Sequence, residues 1–301
     1  MKEKFKSSAF TAPLLVIGIL IVMQLSRFAL NNLEEGTNVF VAVGVIQLVA
    51  FGLPCIIYYL LKNKKLSDPI YGLSARGPQV LLVFFAALFF VCGMLLIKFF
   101  YILAGAANAA LVNFYGDLTG SGEEVGKIEI ILSFVIIPAV CEELFFRGII
   151  FSEYRRYGTA TAVVVSAFCF AFLHFSVTNF FIYLFSGLLF GFVTAMTRSI
   201  IPAVALHLLS NYLSIFASDA FLRITVSKNG AYFIGFVLVI LTCLSFILLM
   251  SRVETVCIGY SDRPPVESIP PKSADHWSEV LFSPTFVLLI ITFISLTLFI
   301  K

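Results

Sequence analysis

Charge is scarce in this sequence. Aspartate, glutamate, lysine and arginine together make 12% of the 301 residues while apolar residues make 60%, against roughly 25% charged residues in ordinary soluble domains. No soluble fold hides that much apolar surface. The six cysteines (Cys55, Cys92, Cys141, Cys169, Cys243 and Cys257) form no CxxC pair or regular spacing, which excludes a secreted disulfide scaffold and makes most of them small packing residues. Excess positive charge is also lacking: a formal net charge of +3 is too small for a nucleic-acid partner, so the basic residues are topology signals. Repeats, low-complexity tracts and HExxH are absent, and no small-residue cleavage site follows the first apolar run. That run, residues 10–30, is therefore a retained helix and not a signal peptide.

What is abundant is apolar length. A bilayer span needs about 20 apolar residues, and on that criterion the expected segments are 10–30, 38–61, 79–103, 128–151, 159–175, 178–197, 200–219, 231–251 and 283–300. The fold class is all-α, a polytopic transmembrane bundle of eight or nine spans. Residues 1–127 carry N-terminal helices, 128–219 a four-helix catalytic core, and 220–301 C-terminal helices. A polar loop is expected at 252–280, where Pro264, Pro265, Pro270 and Pro271 stand among mixed charges. Tyr71-Gly72-Leu73 reads as a turn or an interfacial piece. With nine spans, Lys62, Lys64, Lys65, Arg76, Arg155, Arg156, Arg198, Arg252, Arg263 and Lys272 fall on the side of the N-terminus. The opposite loops are acidic or nearly neutral, so the N-terminus is expected to be cytoplasmic.

Ionisable side chains inside spans cost about 2.5 to 3.5 kcal/mol each on insertion scales and are functional candidates by default. Arg27 and Lys98 are single and near span ends, where they reach the interface. The other candidates cluster. Glu142 and Glu143 are adjacent, so about 100° of helix rotation separates them and they face different neighbours. Arg147 follows Glu143 by four residues, the spacing of an ion pair on one helical face. Glu142 is then left to point toward another helix. If the chain turns near Gly158, Glu142 and His174 each lie sixteen residues from that turn, about 24 Å along their helices, and can meet. His207 and Asn211, four apart, project from one face as a donor pair suited to a developing oxyanion. The bland alternatives are a structural knot of Glu142, Glu143 and Arg147, a satisfied core His174, and a helix contact through His207 and Asn211.

Three motifs occur in order: EExxxR at Glu142–Arg147, FxxxH at Phe170–His174, and HxxxN at His207–Asn211. Together they resemble the CPBP family, which contains the type II CAAX prenyl endopeptidases and bacterial homologues tied to bacteriocin processing or immunity, the Abi proteins. The resemblance covers about residues 128–219. It implies an intramembrane glutamic endopeptidase acting on peptide or membrane-protein substrates. Glu142 and His174 would activate water, His207 and Asn211 would hold the oxyanion, Glu143 and Arg147 would support, and Phe170 would pack the site. It also implies an integral protein of a bacterial plasma membrane.

No cofactor is expected. The alternative is zinc on Glu142, His174 and His207, because two histidines and one glutamate are a recognised zinc set. A non-enzymatic immunity or scaffold protein and a proton-relaying transporter are the rival functions; the transporter lacks an evident repeat and paired interrupted helices. Gly187 and Gly191 form a GxxxG suited to close helix approach, and Pro138 is placed to kink the fourth span. Oligomeric state, substrate and cleavage site are not legible.

Overall fold

The structure, a computed structural model, describes residues 2–30, 38–62, 77–105, 127–217, 230–259 and 279–299. Helices dominate the described residues, and no strand occurs among them. In chain order α1 is Lys2–Leu30; α2 runs through Val39–Gln47, Leu48–Gly52 and Leu53–Lys62; and α3 is Gly77–Leu103. Then α4 runs through Lys127–Ile130, Ile131–Ile136, Ile137–Phe145, Phe146–Phe151 and Ser152–Tyr154, and α5 is Thr159–Phe172. They are followed by α6, Phe180–Thr197, α7, Ile201–Phe216, α8, Ala231–Ile258, and α9, Pro284–Phe299.

Local chemistry explains several of these boundaries. Asn38 starts α2 by accepting the backbone N–H groups of Phe40 and Val41 at 3.0 and 3.2 Å, which satisfies donors that no helical carbonyl can reach. Two wide turns in α2 and α4, Leu48–Gly52 and Ile131–Ile136, each lie just ahead of a proline, Pro54 and Pro138. Proline has no N–H to give the carbonyl four residues back, here Ala50 and Phe134, and both carbonyls lie inside the widened turn. Widening re-registers the ladder where the bond is lost. A third wide turn, Phe146–Phe151, follows the two glutamates, so the Ile137–Phe145 segment that carries them is bounded by irregular helix on both sides. Gly158, at φ 110° and ψ 151°, reverses the chain between α4 and α5 in a conformation that favours glycine.

Helix α4 packs against α2, α5 and α7, while α6 packs against α5, α7 and α3. Outside this group α8 lies along α3, and α9 along α1. An aromatic chain crosses the interior, from Phe51 to Phe145 at 5.8 Å between ring centroids, Phe146 to Phe170 at 5.3 Å, Phe170 to Phe190 at 6.0 Å and Phe190 to Phe90 at 5.5 Å. Such ring pairs add about 0.5 to 1.5 kcal/mol each beyond the area they bury. The outer helices face outward with apolar residues: Tyr232, Phe233, Phe236, Ile240, Leu244 and Ile247 of α8 are all exposed. A surface of that kind suits lipid and not water.

Five helices are long and apolar enough to cross a membrane: Phe10–Leu30, Val39–Leu60, Gln79–Leu103, Phe180–Thr197 and Ala231–Ile258. Thr159–Phe172, Ile201–Phe216 and Pro284–Leu298 are apolar but shorter; the 14 residues of α5 span only about 21 Å, less than a hydrocarbon core of about 30 Å. Of the eight or nine expected spans, then, five meet the length criterion among the described residues. The fifth segment ends at Phe172 and not at residue 175, because Leu173 and His174 already form a turn. Helix α8 runs seven residues into the stretch expected to be loop, through Ile258, and Arg252 lies 5.8 Å from the Phe85 ring centroid of α3. The prolines of the expected loop and the Tyr71-Gly72-Leu73 turn lie outside the described residues. Lys98 does not reach outward but is buried in α3 at 6% exposure.

Candidate active site

The motif residues come from four elements that converge inside the bundle: Glu142, Glu143 and Arg147 from α4, Phe170 from α5 with His174 in the turn after it, and His207 with Asn211 from α7. Glu143, Arg147 and His207 are buried, at 0%, 0% and 2% exposure, and Glu142 at 7%. A charge in that position needs a partner, since an isolated buried ion is far costlier than a paired one.

Glu143 and Arg147 pair as the spacing predicts. Arg147 Nη1 donates to Glu143 Oε1 at 3.0 Å, and Nη2 donates across to the backbone carbonyl of Gly187 on α6 at 2.9 Å. The guanidinium also sits 5.2 to 5.8 Å from the ring centroids of Phe170, Phe190 and Phe146, whose faces attract a cation. Gly187 has to be glycine for α6 to come this close. A Cβ there would lie 2.9 Å from Ala167 Cα on α5.

His207 enters the same knot from α7. Its Nδ1 donates to Glu143 Oε1 at 2.9 Å, so one carboxylate oxygen receives both Arg147 and His207. The imidazole is stacked on Phe190 with centroids 5.3 Å apart and meets Phe170 edge to face at 5.4 Å. With Nδ1 committed, Nε2 is the nitrogen left for chemistry. One turn further along α7, Asn211 Nδ2 donates to the Val135 carbonyl of α4 at 3.5 Å, a long and weak bond. The expected donor pair therefore shares a helix face, with each member engaged by a different part of α4.

Glu142 stands apart from the Glu143 knot, as their helical rotation requires. Its Oε2 is buried with no hydrogen-bond partner. It lies within electrostatic reach of His207, Glu143 and Arg147, and Tyr183 of α6 lies within reach of it. His174 and His207 are within reach of each other. His174 is oriented by its own loop: Nδ1 donates to the Phe170 carbonyl at 2.9 Å, which fixes the tautomer and leaves the Nε2 lone pair free. The next residue, Phe175, has φ 47°, a left-handed conformation that costs an aromatic residue of the order of 1 to 2 kcal/mol. Strain of this size gathers where a loop must hold a side chain in place.

Two contacts of this site escape sequence reasoning. One is the Gly187 carbonyl, because a backbone acceptor leaves no mark on residue type. The other is Tyr183, whose ring stacks on His174 with centroids 3.7 Å apart and planes 21° apart; in an apolar helix one more aromatic carries no signal. Among the described residues no group of three or more His, Cys, Asp or Glu side chains is arranged to hold a metal ion; the Nδ1 atoms of His174 and His207 are held by protein acceptors, which leaves Nε2 of each ring. We derive no step through a metal.

Residues 125–213 match a family model described as Type II CAAX prenyl endopeptidase Rce1-like. That interval runs from just before α4 into α7 and contains every residue of the cluster. Neither a search of curated proteins nor a search of solved structures gives a match.

Proposed function

We propose that this chain, whose residues 125–213 belong to the type II CAAX prenyl endopeptidase Rce1-like family, is an intramembrane endopeptidase that hydrolyses a peptide bond with Glu142 as general base. The observation that carries this reading is that Arg147 and His207 both converge on Oε1 of Glu143, whereas Glu142, one residue away, has a buried Oε2 with no hydrogen-bond partner, as has Oε2 of Glu143. A carboxylate left free beside a braced one is poised to act on something that enters the site.

On this reading the side chains divide the hydrolysis among them. A water between Glu142 and His174 gives its proton to Glu142 as its oxygen attacks the scissile carbonyl, with the Nε2 lone pair of His174 accepting a second hydrogen bond from that water. The carbonyl oxygen becomes an oxyanion, stabilised by His207 Nε2–H and the Asn211 carboxamide. Because Nδ1 of His207 already carries a proton for Glu143, Nε2 donates only when the ring is an imidazolium. Glu142 then returns its proton to the departing amine, and the tetrahedral intermediate collapses to a carboxylic acid and a free amine, between which the remaining proton then equilibrates. Asn211 must exchange its long bond to Val135 for the oxyanion, a small cost in view of the 3.5 Å distance.

The substrate is a peptide or membrane-anchored protein that reaches the site through the bilayer, in keeping with the lipid-suited outer surface. The N-terminus is taken as cytoplasmic from the distribution of basic residues, and the membrane as a bacterial plasma membrane from the family resemblance. The test is cleavage of a fluorogenic peptide library with a prenylated member by the detergent-purified protein. Cleavage supports the peptidase reading. Intact peptides after incubation with folded protein overturn it in favour of a non-enzymatic immunity or scaffold role.

A further inference from the structure

His174 is the least conventionally held member of the cluster. It lies beyond the last residue of α5, in a turn where no helical ladder fixes its side chain. Its Nδ1 bond to the Phe170 carbonyl fixes one edge of the ring at 2.9 Å. Phe170 meets it at 4.7 Å with a 57° tilt, too oblique to stop rotation about the Cβ–Cγ bond. Tyr183 supplies the missing constraint from the first turn of α6, its ring nearly parallel to the imidazole at a centroid distance of 3.7 Å. The segment between them is short, residues 175–182, and contains the left-handed Phe175, so the strained turn brings α6 back over the ring.

We infer that Tyr183 is the positioning residue of His174: its ring clamps the imidazole so that Nε2 faces the space beside Glu142. The ring acts, not the hydroxyl. This inference rests on the peptidase reading for its functional consequence, but the clamp itself is a physical contact that is measurable without turnover. Tyr183 touches no reacting atom in this account; it acts through His174.

Two measurements decide it. In the full-length protein in detergent micelles, the chain's three histidines give few imidazole signals, and His174→Gln assigns the one of interest. A ring stacked face to face shifts the His174 imidazole protons upfield. Tyr183→Phe should keep that shift and keep kcat within about threefold of wild type, whereas Tyr183→Leu and Tyr183→Met should remove the shift and lower kcat about 10- to 100-fold with KM little changed. Two branched and unbranched replacements guard against a single variant that does not fold. Unmoved His174 signals in a folded Leu or Met variant overturn the clamp. Loss of activity in Tyr183→Phe equal to that in Leu also overturns it, by shifting the role to the hydroxyl. If Glu142→Gln cleaves as well as wild type, the peptidase reading fails, and the imidazole shift still decides the clamp.

Discussion

His207 Nδ1 and Arg147 Nη1 converge on the same oxygen of Glu143, at 2.9 and 3.0 Å. This makes Glu143 the hinge between α4 and α7, and it separates the two adjacent glutamates by task. Glu143 holds a histidine and an arginine through Oε1, neither of which is hydrogen-bonded to Glu142, and the Oε2 of each glutamate is buried with no hydrogen-bond partner.

Arg147→Ala should be the most destabilising change in the cluster. It takes the guanidinium from the buried Glu143 carboxylate, which keeps only His207, and from the Gly187 carbonyl, a loss of about 3 to 5 kcal/mol for a broken buried pair. Thermal unfolding in detergent should show a large fall in Tm. Arg147→Lys should recover only part, because an ammonium cannot reach Glu143 and Gly187 in the planar fork that the guanidinium offers.

His207→Gln and Asn211→Ala should each lower kcat by about 10²- to 10³-fold while KM changes little, the signature of donors that act on the transition state. The readout is steady-state cleavage of the best peptide from the library. Changes confined to KM would assign both residues to ground-state binding.

Gly187→Ala should cost about 1 to 3 kcal/mol, as overpacking does, because its Cβ would meet Ala167 Cα at 2.9 Å. Moving α6 away from α5 also draws the Gly187 carbonyl away from Arg147. Gly191→Ala should cost less, since its nearest neighbour is Val163 Cγ1 at 3.3 Å, a side-chain methyl that can shift. Paired melting curves of the two variants test the order.

Incubation with a strong zinc chelator should leave cleavage unchanged, since the mechanism proposed here runs on Glu142, the histidines and Asn211 alone. Loss of cleavage that added zinc restores would move the chemistry to a metal.

The sequence carried much of this arrangement. Spacing alone gave the Glu143–Arg147 pair, because four residues make one helical turn wherever the helix lies. The reversal at Gly158 falls where the sequence suggests it, at φ 110°. The GxxxG of Gly187 and Gly191 foretold the close approach of α5 and α6. What escaped was set by tertiary contact. Glu143 receives His207 as well as Arg147, which depends on the rotation of α7 about its axis, and periodicity does not fix that rotation. The end of α5 at Phe172 was missed because the apolar run continues past it while the backbone turns. The reach of α8 to Ile258 was missed because Arg252 looks like a loop charge until the Phe85 ring beside it is seen.

The most direct test of the central claim is the cleavage rate of the Glu142→Gln protein against wild type on one prenylated reporter peptide, with folding checked by melting temperature. Glutamine preserves shape and hydrogen bonding while removing the base. The account predicts at least about a 10²-fold loss of kcat at an essentially unchanged Tm. A well-folded Glu142→Gln variant that cleaves at the wild-type rate would contradict it.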